Sequence, residues 1–229
     1  MSRINLSGDV PLAQSLLWAI KTLKRLEADV GTLANTSKMP CFSTSTPAKS
    51  CKTGGKLREV EDSICSICYA HKGHYLYPSV QKSLEYREKA ISRDIWVESM
   101  SALIYRKEKS GFFRWKDSGD IGSVKELDKI VQVCRNLPKI RFWLPTREYG
   151  FVRQWVKENG KFPRNLTVRL SAYMIDGPPP TKLARELGVQ TSGVSAGKFT
   201  CPASRQGHQC LKCRECWDSK TENIDYKEH

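Results

Sequence analysis

Between residues 111 and 194, four short apolar or aromatic runs alternate with segments of helical periodicity, and this alternation restricts the available folds more than any other feature of the chain. The first run, 111–115, leads into the turn Asp117-Ser118-Gly119-Asp120 and a helix predicted from 123 to about 136. The second, 139–144, is followed by Pro145-Thr146-Arg147-Glu148 and a helix near 149–158. After the third, 166–170, come Ser171, the breaker Gly177-Pro178-Pro179-Pro180 and a helix near 181–187, with a fourth run at 189–194. Strand and helix repeating at about 25-residue spacing require parallel strands joined by right-handed helical crossovers. The expected class is therefore α/β, either a partial (β/α) barrel or an open sheet. In both architectures functional side chains collect beyond the C-terminal ends of the strands. The polar groups at those positions are Lys116, Asp117 and Asp120, then Thr146, Arg147 and Glu148, then Arg169, Ser171 and Asp176, then Ser192 and Ser195. Asp117 and Asp120 are candidates for holding a hard metal or for acid–base work. Arg147 and Glu148 are candidates for binding a charged substrate or for pairing with each other.

Nine cysteines carry the second strong signal, because a chain of 229 residues can bury a core without covalent staples. Cys41, Cys51, Cys65 and Cys68 fall in the spacing C-x9-C-x13-C-x2-C, inside a segment, 31–78, that lacks periodicity. A structureless stretch of that length needs something to order it, and four thiolates on one centre would do so. Lys38, Lys49, Lys52 and Lys56 would offset their charge, while His71 and His74 follow as alternative ligands. Cys201, Cys210, Cys213 and Cys216 form C-x8-C-x2-C-x2-C, three of them at two-residue gaps. Such a run resembles the ligand run of bacterial ferredoxins, where neighbouring sulfurs cap different irons of one cubane. Zinc usually takes two separated pairs, so the spacing favours one or two 4Fe-4S clusters, with zinc as the alternative. Cys134 lies on the apolar face set by Val124, Leu127, Ile130 and Val131 and reads as a core thiol.

Residues 79–109 are strongly helical, with a break near 92–94, and 11–29 read as one amphipathic helix on Leu12, Leu16, Ala19, Ile20, Leu23 and Leu26. The division expected is an N-terminal helix (1–30), a cysteine-bearing ligand loop (31–78), a partial α/β barrel (79–199) and a C-terminal cysteine module (200–229). No run approaches the ~18 apolar residues of a membrane helix, and no secretory signal opens the chain, so a cytoplasmic protein with reduced thiols is expected. A formal charge of +14 makes nucleic acid a candidate partner, although the basic residues are scattered along the chain.

Several runs match a known family: Met39-Pro40-Cys41, Cys65-Ser66-Ile67-Cys68-Tyr69-Ala70, 114–120, Phe142-Trp143-Leu144-Pro145-Thr146-Arg147-Glu148, and Cys210-Leu211-Lys212-Cys213-Arg214-Glu215-Cys216-Trp217. From about Met39 onward the chain resembles the bacteriophage proteins known as the gene product eighty-eight family, which implies residence in an infected bacterial host. A more distant likeness is to radical S-adenosylmethionine enzymes, where a cysteine loop ending in Cys-x2-Cys-aromatic precedes a partial barrel. It matches Cys65, Cys68 and Tyr69, and it implies cofactor contacts from Ser118 and Gly119 and from Arg169 and Ser171. The first cysteine of that loop would stand at position 61, which holds Glu61, so Cys51 or Cys41 would replace it. If both joined one cluster, four thiols would close the iron that should bind S-adenosylmethionine. Three functions follow as expectations: a redox-active iron–sulfur protein, with a radical-type enzyme acting on an unidentified small molecule as its catalytic form; a zinc-stabilised nucleic-acid-binding protein; or a non-catalytic electron carrier or redox sensor.

Overall fold

The computed structural model describes Trp18 and residues 20–228. Five strands, β1 (Phe112–Arg114), β2 (Arg141–Thr146), β3 (Leu166–Ser171), β4 (Gln190–Ser195) and β5 (Asn223–Lys227), pair in parallel in sequence order. The sheet curls into a half-barrel, as the βα alternation requires. Seven α-helices are found among the described residues: α1 (Leu23–Val30), α2 (Lys52–Leu57), α3 (Pro78–Ala90), α4 (Trp96–Lys107), α5 (Val124–Asn136), α6 (Tyr149–Asn159) and α7 (Thr181–Leu187). The crossovers β1 to β2, β2 to β3 and β3 to β4 run through α5, α6 and α7. From β4 to β5 the cysteine-bearing tail takes the helix's place, so the tail completes the sheet, and β5 went unread as a strand.

The main core lies between the helices and the convex face of the sheet. Phe113, Phe142, Leu144, Val168 and Leu170 point into it and meet Leu127, Ile130, Val131 and Cys134 of α5. Ser123 starts α5 by accepting from the Glu126 amide at 3.1 Å, the usual role of an N-cap serine. Cys134 is fully buried, in keeping with a core thiol. A buried ion pair, Lys116 Nζ to Glu126 Oε1 at 2.5 Å, ties the turn after β1 to α5.

On the concave face alternate residues of the strands, Trp143, Thr167 and Arg169 among them, are covered by the tail. Arg169 is 0 % exposed and donates from all three of its nitrogens. Its Nε reaches the Cys216 carbonyl, one terminal nitrogen those of Thr191 and Thr221, and the other those of Glu215 and Asp218, at 2.8–3.2 Å. Trp217 packs edge-on against Trp143 and donates its indole N–H to the Phe113 carbonyl at 2.8 Å.

Two expectations are corrected. The helix read over 11–29 is interrupted: Trp18 and Ile20 are helical, Lys21 and Thr22 are not, and α1 starts afresh at Leu23; Leu12, Leu16 and Ala19 lie outside the described residues, as does His229. Thr22 caps α1; Trp18 is buried in the core, whereas Ile20 is 78 % exposed and Leu23 39 %, so within α1 the buried stripe is carried by Leu26 and Val30. The segment 31–78 is not structureless: it holds α2 and three short 3-10 turns. Backbone pairing orders it. Residues 42–46 run beside β1 (Arg114 N–H to the Phe42 carbonyl at 3.2 Å, Thr46 N–H to that of Ser118 at 3.0 Å), and 62–64 pair with 173–175 after β3. Arg87 on α3 donates to the Ser45 and Thr32 carbonyls, holding the same segment from behind. No helix among the described residues is long and apolar enough to cross a membrane.

Candidate functional site

The loop after β3 fixes the Cys65 turn through two backbone bonds, Ile64 N–H to the Tyr173 carbonyl and Ile175 N–H to that of Asp62, both 2.9 Å. Cys65 and Cys68 are thereby held at the C-terminal end of the sheet. Cys51 joins them from the N-terminus of α2. Burial pushes its thiol up to about 12, with Asp120, Cys68 and Cys65 adding to the rise and Lys116 opposing it. Burial also raises the Cys65 thiol, which the Arg147 guanidinium lowers in part. Gly54 on α2 closes the back of this group: a Cβ there would stand 3.4 Å from Cys65 Sγ and 3.8 Å from Cys51 Sγ. The glycine thus leaves backbone, with no side chain, against two sulfurs, which fits a bulky thiolate-bound group.

Cys41 is not part of this set. It packs with Cys216, Trp143, Trp217 and Ile224, and the Cys210 N–H bonds the Lys38 carbonyl three residues before it at 2.9 Å. Adjacency in sequence places Cys41 with Cys51, but residues 42–46, stretched along β1, carry the two apart. The cysteines therefore sort as Cys51, Cys65 and Cys68 at the strand ends, and Cys41, Cys201, Cys210, Cys213 and Cys216 against the concave face. Among the described residues, no three His, Cys, Asp or Glu side chains converge as the ligands of one ion would.

The strand-end residues expected from the sequence surround the first group. Asp120 accepts from Thr146 Oγ1 at 2.6 Å and from the Arg147 and Ile121 amides, both at 2.8 Å. Burial raises its carboxyl to about 6 against those hydrogen bonds. Glu148 accepts from both the amide and the hydroxyl of Thr53 at 2.8 Å, which satisfies a free N–H in the first turn of α2 and fixes the residue next but one to Cys51. Arg147 spends its Nε on the Ala172 carbonyl, 3.0 Å, so Arg147 and Glu148 are positioned by separate partners and not by each other. Tyr149 and Tyr173 stack at 4.6 Å beside them, a pair that the sequence reading did not single out. Asp117 is buried; its carboxylate takes one hydrogen bond, from Ser43 Oγ at 3.1 Å, while its Oδ1 has no partner, and its carbonyl accepts from the Tyr69 hydroxyl. The Ser118 hydroxyl bonds the Thr46 carbonyl, Ser171 bonds Ser192 across β3 and β4, and Arg169 is engaged wholly with carbonyls. Thr53 and Gly54 were also missed; the Thr53-Gly54-Gly55 run, separated from Cys51 by Lys52 alone, was the available sign.

Gly119 has a local reason to be glycine. Its φ is +75°, and a Cβ would stand 2.6 Å from the Thr46 carbonyl oxygen. Gly119→Ala is expected to destabilise the fold by about 2–4 kcal/mol in urea titration, combining left-handed strain with overpacking. Gly55→Ala, on α2 with open space around it, is expected to be neutral or stabilising by up to about 1 kcal/mol. Equal midpoints for the two variants would remove this explanation.

No curated protein and no solved structure matches the chain. The family model described as Gene product 88 matches residues 12–219, which bears out the likeness seen from Met39 onward and extends it towards the N-terminus. Spanning nearly the whole chain, that match places it as a member of the Gene product 88 family.

Proposed function

We propose that this protein is a redox-active iron–sulfur protein in which Cys51, Cys65 and Cys68 hold one cluster at the mouth of the half-barrel, and that it works as an enzyme of the radical S-adenosylmethionine type. The supporting observation is the sorting of the cysteines. With Cys41 packed among the tail residues, Cys51, Cys65 and Cys68 are the thiols grouped at the strand ends, which favours three thiolate ligands over four. A cluster on three thiolates supplies one-electron chemistry and one iron with a free coordination position. The chain's own residues contribute the surroundings. Gly54 keeps α2 close to the sulfurs, Glu148 holds α2 by Thr53, and Lys116 and Arg147 place positive charge near thiolates. The stacked Tyr149 and Tyr173 wall one side.

The test is an iron and sulfide count on protein purified without oxygen, with electron paramagnetic resonance before and after S-adenosylmethionine is added. About four irons per centre and a changed signal are expected. A full complement of iron whose signal ignores S-adenosylmethionine would replace catalysis by electron transfer. Colourless protein with stoichiometric zinc would remove both.

A further inference from the structure

We infer that the rim at the C-terminal end of the sheet, together with the tail laid over the concave face, is a binding surface for single-stranded nucleic acid, in which lysines and arginines meet phosphates and the open rings of 74–77 stack on bases. The inference does not depend on what the cysteines hold.

Basic residues are scattered through the sequence, but acidic ones are not. Three segments, 30–58, 63–84 and 187–214, contain eleven of the 38 lysines and arginines and none of the 24 aspartates and glutamates. They therefore carry +11 of the formal +14, and the remaining 27 basic residues are nearly balanced by the 24 acidic ones. The fold brings the three segments together. Residues 42–46 run along β1 to the rim, Cys51 meets Cys65 over Gly54, and 62–64 pair with 173–175 beyond β3. The third segment leaves the rim at the end of β4 and returns to the first where the Cys210 N–H bonds the Lys38 carbonyl, 2.9 Å. Arg114, at the end of β1, ties the first segment to the second: it reaches the Met39 thioether at 3.5 Å and hydrogen-bonds the Tyr69 side chain.

Lys38, Lys56, Arg58, Lys72, Lys198 and Lys212 are all exposed. The acidic groups of the strand ends are turned inward: Asp117 and Glu148 are buried, and Asp120 is held by Thr146 Oγ1 and two backbone amides. Exposed Asp176 is engaged by the Ser195 hydroxyl and the Ala196 N–H. Exposed acid returns at the borders of the segments, at Glu59, Glu61 and Asp62 and again at Glu215. A surface cleared of carboxylates suits a polyanion, because each interspersed acid would cancel a phosphate contact. The rings choose among polyanions. Tyr77 is 55 % exposed, and exposed His74 stands beside it with ring centroids 5.2 Å apart. Tyr69 and Tyr75 pair at 5.7 Å, and the Tyr69 hydroxyl is anchored on the Asp117 carbonyl. Open tyrosine and histidine faces stack on unpaired bases. A membrane surface draws instead on Trp and Phe, and all six tryptophans are buried.

The experiment is fluorescence anisotropy of the full chain with a labelled mixed-sequence single strand of about 20 nucleotides, longer than the usual site of one binding domain, titrated over a range of salt. The variant K56Q/K72Q/K198Q/K212Q is expected to bind at least tenfold more weakly at low salt and to flatten the slope of log affinity against log salt by about 3, the counterion release of four phosphates. Removing the same charge from the opposite edge of the sheet, in R135Q/K157Q/K161Q/R164Q, should leave affinity and slope near the wild type. Tyr77→Ala is expected to weaken binding about tenfold with the slope unchanged. All of these side chains are exposed, so each variant should keep the wild-type urea midpoint. Absent or salt-insensitive binding, an equal fall in both charge variants, or wild-type affinity in Tyr77→Ala overturns the inference. So does a duplex bound as tightly as the single strand, or capture by phosphatidylserine vesicles with the single strand left free. Iron and sulfide counts on the same preparations keep the redox reading separate: binding without iron upholds the inference and removes that reading, and iron without binding does the reverse.

Discussion

Arg169→Met is expected to lower stability by about 3–5 kcal/mol in urea titration and to expose residues 215–221 to limited proteolysis. The guanidinium sits inside β3 with no solvent contact, and five carbonyls, four of them from residues 215–221, converge on its donors. Each hydrogen bond to a charged group contributes about 1.5–3 kcal/mol, but the five share one side chain and methionine refills most of its volume, so the net loss is less than their sum. Arg169→Lys should recover only part of the loss, since an ammonium on a flexible stem cannot span a planar fork of acceptors. Because Arg169 holds the carbonyls of Glu215, Cys216 and Asp218 on either side of Trp217, the tail cysteines are expected to lose their arrangement together with stability. A midpoint within the error of the wild type would mean that the tail is held by Trp217 and β5 alone.

This residue also shows where sequence reasoning stops. Its place at a strand end reads as functional, and the likeness to radical S-adenosylmethionine enzymes implied that Arg169 meets a cofactor. Its acceptors come almost entirely from some fifty residues downstream, a distance over which no local pattern operates. The four strands from 112 to 195 and their helices were legible because period-2 and period-3.6 patterns, Ser123 as a cap and the glycine–proline breaker act locally. β5 was not, since Asn223–Lys227 carries only two inward residues, Ile224 and Tyr226, in a polar five-residue stretch. The polar cluster at the strand ends was legible for the topological reason that every parallel strand finishes on the same edge. The cysteine partners were not. Their grouping depends on the path of 42–46 along β1, which is set by backbone pairing that leaves no compositional trace.

That partition yields the sharpest contrast among the cysteine variants. Alanine at Cys51, Cys65 or Cys68 is expected to remove about four irons per chain and with them any response to S-adenosylmethionine. Cys41→Ala is expected to leave those irons and that response in place, and to lower stability by about 1 kcal/mol through the loss of a small buried side chain. Analysis of iron and sulfide in matched anaerobic preparations reads both outcomes. Sequence spacing alone predicts that the variants behave alike, because Cys41 and Cys51 belong to one run of four. The fold predicts that they differ, because Cys41 packs on Trp143 and Cys216 whereas Cys51 caps α2 beside Cys65. Should Cys41→Ala strip the same irons as Cys51→Ala, the first cluster would have four thiolate ligands and no free iron position, and the catalytic reading would give way to electron transfer at a closed centre.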